Sequence, residues 1–363
     1  MVDPSRRGFN RYTYSLAKAL LDIEDVEIWL FSMAPVHETF LRDLAVRVVT
    51  EPRFKATWWE QVELPRTIKK LKLDVFHAPA TMGLPLRRVC PYVLTIHDVM
   101  SRAVPDVVGR DSKKARMLQA VSRYAASRII TVSEHSKRDI CRYLGVAAER
   151  VEVIPEAADA SFHVVEDRTI VDTAIRRYGL DAPYLLYVGG FDRRKNVDAL
   201  IRAYAQTTGR HKAPLVLVGA SDEQSARLHA TAESNGIGNR VRSIGYVPDH
   251  DLALIYNGAS AFIYPSLYEG FGLPVIEAMA CGAPVLTSNR ASLPEVVGDA
   301  ALMFDPTRID DIAAAIDRLF TDGDEMSRLR SRGLDVAGRL TWRKTAERTL
   351  AVYRSALATT GQS

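Results

Sequence analysis

The chain has no run of 18 or more apolar residues, so no helix is expected to span a membrane. Met1 to Tyr12 carries no apolar core and does not read as a secretory leader. Cysteine is scarce. Cys90, Cys141 and Cys281 are odd in number and far apart, which argues against a disulfide framework or a cysteine metal site and for a reducing cytoplasm. No metal site is expected, and no nucleic-acid recognition motif accompanies the basic residues. What remains is an ordinary globular composition, 47% hydrophobic and 25% charged, over 363 residues, enough for two domains. The net charge of +4 is uneven: from Arg102 to Arg142, ten basic residues stand against four acidic ones, a local excess of +6. A solvated helix face is the plain reading of that excess. A surface that attracts anionic lipid or a phosphate-bearing acceptor is the functional one.

One stretch stands out, YPSLYEGFGLPVIEAMACGAPV from Tyr264 to Val285. An apolar strand, Ala261 to Tyr264, leads through Gly270-Phe271-Gly272 into a helix after Pro274, Val275 to Ala280, closed by Gly282. Glu269 falls on the loop, and Glu277, eight positions on, falls within about the first turn of the helix. Carboxylates accept from hydroxyls. Backbone amides and a helix N-terminus suit an anion. A sugar joined to a phosphate needs both.

Elsewhere strands and helices alternate, which implies parallel sheets. Strands are expected at 26–31, 46–49, 74–78, 92–96, 128–132 and 151–154. A second series is expected at 184–188, 215–218, 240–244, 261–264, 284–287 and 301–304. Helices are expected at 12–21, 58–72, 112–126 and 137–144, and from 309 to 358 with a break near Thr341. Ser133 and its neighbours can cap the helix at 137. Residues 156–182 read as a polar linker. His77, His97 and Ser133 fall at carboxyl ends of strands, where such sheets bind ligands. Arg193, Arg194 and Lys195 lie on a strand-to-helix loop, GGFDRRKN, and such donors hold a diphosphate well.

EGFGLPVIEAMACGAPV resembles the E-x7-E signature of retaining glycosyltransferases of family 4, and TIHDV and GGFDRRKN resemble further segments of it. The resemblance implies the GT-B architecture: α/β, with two Rossmann-like domains whose parallel sheets face across a cleft. It implies an acceptor domain over 1–168, a nucleotide-sugar domain over 169–345, and a final helix, 346–363, crossing back to the first domain. The family's first strand has no counterpart before the glycine loop at Gly8, so that strand is expected to be absent or replaced by another segment.

The resemblance also assigns roles. His97 contacts the donor sugar, with Asp98 orienting it or binding acceptor. Arg194 and Lys195 neutralise the leaving diphosphate in place of a metal. Glu269 lies by the sugar hydroxyls, and Glu277 binds the ribose. Gly8, Gly190, Arg193, Gly270, Phe271, Gly272 and Leu273 complete the donor site; many members have Arg where this chain has Gly190. The implied reaction is retaining transfer of a hexose to a hydroxyl of a glycan or lipid-linked saccharide. No cofactor is needed beyond the donor, GDP-mannose first and UDP-glucose second. The work would be done in the cytoplasm, at the inner face of an anionic membrane if it associates with one. The alternatives are a sugar phosphorylase or synthase acting on a small phosphorylated acceptor, and an inactive sugar-nucleotide-binding subunit.

Overall fold

A strand with no polar face has to be covered on both sides, and several runs here, such as Leu215-Val216-Leu217-Val218, have none. The computed structural model describes residues 9–23, 25–32, 46–50, 56–80, 84–208 and 213–360. The chain divides into two units, one of residues 1–105, 109–156 and 341–363, the other of 106–108 and 157–340. The domain boundaries read from sequence were 168/169 and 345/346.

In the first unit, β1 (Trp29–Ser32) pairs in parallel with β2 (Arg47–Thr50). A separate parallel sheet runs in the order β3 (Phe76–Ala78), β4 (Tyr92–Thr95), β5 (Arg128–Thr131), β6 (Val151–Val153). β4 is buried at every position. Its residues Tyr92 and Leu94 pack with Ile129, Ile140, Leu144 and Val151 on one side. On the other, Val93, Ile130 and Ile154 meet Val352 and Ala356 of the last helix, Trp342–Thr360. The same helix sets Ala346 against Tyr12, Leu16 and Leu20 of the first helix, Phe9–Leu21. The expected absence of a first strand falls on residues outside those described.

Local features depart from the sequence reading. The helix expected at 58–72 widens to a π turn over Trp59–Glu63 before Leu64–Leu71. The Leu64 N–H bonds back to the Trp59 carbonyl, because Pro65, near the start of the next helix, has no N–H to continue the ordinary ladder. The stretch read as a linker contains a helix, Arg168–Arg177. The Asp167 side chain accepts from the Thr169 N–H at its start, and Val171, Ala174 and Ile175 are buried.

In the second unit all six strands are parallel, in the order β12 (Ala301–Phe304), β11 (Val285–Ser288), β10 (Ala261–Tyr264), β7 (Leu185–Val188), β8 (Leu215–Val218), β9 (Val241–Ile244). Most bounds fall within about a residue of expectation. The chain builds outward from β7 to β9, then returns to the other side of β7 to add β10. Strand order therefore reverses between β7 and β10. In a doubly wound sheet, ligands bind beyond the carboxyl ends of the strands at such a reversal. The helical remainder breaks at Asp322 as well as near Thr341, where the Asp322 side chain accepts from the Glu325 N–H (2.9 Å) to begin Gly323–Arg339.

Candidate active site

The loop after β7 carries Arg194 and Lys195; the loop after β10 carries Glu269. These are the two strands that flank the reversal, so topology alone brings the three side chains together. Lys195 Nζ donates to Glu269 Oε1 at 2.7 Å, and Arg194 Nη1 reaches Glu269 Oε2 at 2.7 Å. All three are largely buried, and two cations share one carboxylate. Burial raises the Glu269 pKa, but Lys195 and then Arg194 outweigh it and hold the group below the usual carboxylate value.

Each loop is pinned. The Asp192 carboxylate accepts from the Arg194 N–H (3.1 Å), and Arg194 Nη1 donates to the Tyr268 carbonyl (3.1 Å). The Leu267 N–H donates to the Arg194 carbonyl (2.9 Å). The buried Ser292 hydroxyl donates to the carbonyls of Glu269 (2.9 Å) and Phe271 (3.1 Å). Lys195 Nζ also donates to the Tyr264 hydroxyl and lies over that ring, 4.9 Å from its centroid. Two of the three N–H donors of this ammonium thus have partners among the described residues.

The glycine at 272 is required. Its φ is +109°, and a Cβ there would lie 2.7 Å from Leu293 Cδ2. It opens the helix Leu273–Ala280, with Pro274 in the first turn. Gly270, Phe271 and Gly272 are buried and Leu273 is half-buried. Glu277 is the fifth residue of that helix, so it sits in the second turn rather than the first. It is buried, and its Oε2 accepts from the Tyr256 hydroxyl at 3.2 Å.

Other expected residues do not join this cluster. Arg193 is exposed, and its Nη1 donates to the Asp106 carbonyl (3.2 Å). Gly190 is exposed on the turn, where its carbonyl accepts from the Tyr187 hydroxyl (2.5 Å). Gly8 lies outside the described residues.

His97 belongs to the first unit and has its own buried carboxylate. Its Nδ1 lies 3.0 Å from Glu156 Oε1, and its Nε2 lies 3.2 Å from the Pro79 carbonyl. Both ring nitrogens therefore face acceptors, the pattern that suits an imidazolium. Burial works against the charge, but the Glu156 carboxylate, the Pro79 carbonyl and Asp98 outweigh it and raise the pKa of His97. The Asp98 carboxylate accepts from the Met100 N–H (3.1 Å). Tyr12 meets the His97 ring edge-on, with centroids 4.7 Å apart. From Tyr12 a hydrogen-bond chain runs through Thr95 (3.1 Å) and His77 (2.7 Å) to Tyr353 (2.7 Å). Removal from water, with the His97 charge acting in the same direction, pushes His77 down to about 3, so it is the neutral member of the histidine pair.

Sequence reasoning missed Glu156 and Tyr264. Glu156 directly follows Ile154-Pro155 after β6, and its place at the carboxyl end of a strand was the available signal. Two Asp-x-Asp spacings were also passed over, Asp249-His250-Asp251 and Asp322-Gly323-Asp324. Asp251 is tied to Arg177 (2.7 Å) and Tyr178 (2.6 Å), and Asp322 caps its helix. Among the described residues, no three His, Cys, Asp or Glu side chains gather as a metal site.

A chain of two α/β units built on parallel sheets is the GT-B type of protein. Its fold is that of HepE from Anabaena in complex with UDP and glucose, with a TM-score of 0.79 at 19% identity over 98% of this chain and 97% of that one. The family models Glycosyltransferase Family 4 and Glycosyl transferases group 1 match residues 6–162 and 172–335. The O-antigen chain mannosyltransferase B of Escherichia coli is 35% identical over 79% of this chain and 76% of its own length. The serotype-specific mannosyltransferase WbdA of Escherichia coli is 33% identical over 61% of this chain, which spans 28% of that longer protein. The chain belongs to glycosyltransferase family 4 and is a glycosyltransferase.

Proposed function

We propose that the second unit binds GDP-mannose and that the enzyme transfers mannose, with retention, to a hydroxyl of a glycan or lipid-linked saccharide. The observation that carries this reading is the Arg194–Lys195–Glu269 cluster at the strand reversal. Two buried cations against one carboxylate leave a net positive charge where a diphosphate would lie, and Glu269 sits beside it to accept from sugar hydroxyls. Glu277 serves the ribose hydroxyls, and the Leu273–Ala280 helix adds its positive end. The relatives named as mannosyltransferases favour mannose; UDP-glucose is the second donor to try. His97, held as a cation with both ring nitrogens engaged by Glu156 and the Pro79 carbonyl, acts on the sugar through its charge. The cations stabilise the leaving diphosphate, and catalysis consists of positioning and electrostatic stabilisation of an oxocarbenium-like ion. The reaction belongs to the cytoplasm, at the inner face of a membrane if the protein associates with one. Among the described residues no helix is long and apolar enough to cross one.

The test is transfer from GDP-mannose to a mannoside acceptor, followed by proton NMR of the new anomeric centre. The α-anomer is expected. A β-product contradicts retention. Turnover with UDP-glucose but not GDP-mannose replaces the donor.

A further inference from the structure

His77 takes no part in the transfer as proposed, yet both its ring nitrogens are taken by hydroxyls. Its Nδ1 lies 2.7 Å from the Tyr353 hydroxyl and its Nε2 2.7 Å from that of Thr95. Thr95 in turn lies 3.1 Å from the Tyr12 hydroxyl. A neutral imidazole has one donor and one acceptor nitrogen, and a hydroxyl can give one bond and take one. The four groups therefore form a single file from the last helix to the first, all within the first unit. Removal from water keeps the Tyr12 and Tyr353 phenols protonated, as it keeps His77 neutral. The file thus carries no charge, and it ends at Tyr12, whose ring meets His97 edge-on.

Its surroundings are apolar. Val93, Ile130, Val352 and Ala356 pack on one side, and Leu16, Leu20 and Ala346 pack around Tyr12. Packing alone would be served by apolar side chains. Buried polar groups are costly unless each is satisfied, and a satisfied network fixes one geometry. The last helix also reaches Tyr12 directly, with the Trp342 ring 6.0 Å from the Tyr12 ring. Tyr12 is therefore held at its hydroxyl through the file and at its ring by Trp342. We propose that Tyr353, His77 and Thr95 are positioning residues: through the Tyr12 hydroxyl they fix the ring that abuts His97, so that the last helix sets the orientation of His97. The kinetic consequence rests on the reading that His97 acts on the sugar; the positioning itself does not.

Tyr353→Phe removes one hydroxyl and keeps the ring. It should shift the ring-proton NMR signals of His97 and lower kcat for transfer from GDP-mannose by about ten- to a hundredfold. KM for GDP-mannose and affinity for GDP should stay within about twofold of wild type. Tyr12→Phe, which keeps the ring against His97 and breaks the file, should do the same. In the double variant the second substitution should cost no more than about twofold further, because the file is already broken. Val352→Ala is the control. Val352 packs in the same helix but gives no group to the file, so melting temperature should fall while the His97 signals and kcat hold. Unmoved His97 signals in Tyr353→Phe overturn the proposal, whatever happens to stability. Losses in kcat that multiply in the double variant also overturn it, since the two hydroxyls would then act separately. Shifted His97 signals with wild-type turnover in both Tyr353→Phe and His97→Gln uphold the positioning and overturn instead the reading of His97 in the transfer.

Discussion

Each unit buries a carboxylate beyond the carboxyl ends of its strands and matches it with cations from another loop, but the partners differ in kind. Glu269 has Arg194 and Lys195, a guanidinium and an ammonium. Glu156 has His97, whose charge depends on pH. The first arrangement carries a net positive charge, with one carboxylate fixing the geometry of two cations. The second is conditional: the same kind of pair, built on a histidine, exists as an ion pair only while the ring is protonated. Two sites with one design thus differ in which end of the pH scale dismantles them.

The contrast is broken most severely at Glu269. Glu269→Ala leaves Arg194 and Lys195 largely buried without a counter-charge. A loss of about 3–5 kcal/mol is expected in urea unfolding, the usual cost of removing one member of a buried pair. A loss below about 1 kcal/mol would mean the cations relax into water and the cluster is not rigid.

Glu156→Gln is expected to cost less, about 1.5–3 kcal/mol for a hydrogen bond to a charged group, and to lower the pKa of His97 as followed by NMR of its ring protons. Melting against pH then separates the two sites. Glu269 is held below the usual carboxylate value, so its contribution is present above that value and is lost as pH falls through the lowered one. His97 is held above the usual imidazole value, so its contribution is complete below that value and is lost as pH rises through the raised one. The stability difference between wild type and Glu156→Gln should therefore shrink toward alkaline pH. A difference that grows there contradicts a charged His97.

Tyr264→Phe sharpens the comparison at its weaker end. It removes one acceptor from Lys195 and leaves Glu269 in place. A cost of about 0.5–1.5 kcal/mol is expected, with GDP binding weakened and guanosine binding unchanged. Loss of both together would make Tyr264 a packing residue only.

Why one cluster was legible and the other was not follows from how each is encoded. Glu269 sits inside a contiguous string in which Gly270, Gly272 and Pro274 punctuate a strand, a loop and a helix, so the residues announce their own geometry. The continuous apolar strands β8, β10 and β12 were read at their observed bounds for the same reason. Glu156 is one acidic residue in a polar stretch. It meets His97 only because β4 and β6 both border β5 and end at the same edge, a fact of sheet order that local pattern does not contain. The π turn before Pro65 was readable in principle from the missing N–H, and the periodicity of Leu64, Ile68 and Leu71 masked it. Glu277 was placed two positions too early in its helix, because the helix begins at Leu273 and not at Val275.

The central claim is that Arg194 and Lys195, held by Glu269, form the diphosphate site. Isothermal titration of wild type and Lys195→Ala with GDP and with guanosine tests it most directly. Comparing the two ligands on each protein cancels any general weakening of the fold. Removal of a charge-assisted bond to phosphate, worth about 1.5–3 kcal/mol, should weaken GDP by about ten- to a hundredfold and leave guanosine unchanged. An equal loss for both ligands would show that Lys195 only holds the loop, and would contradict the account.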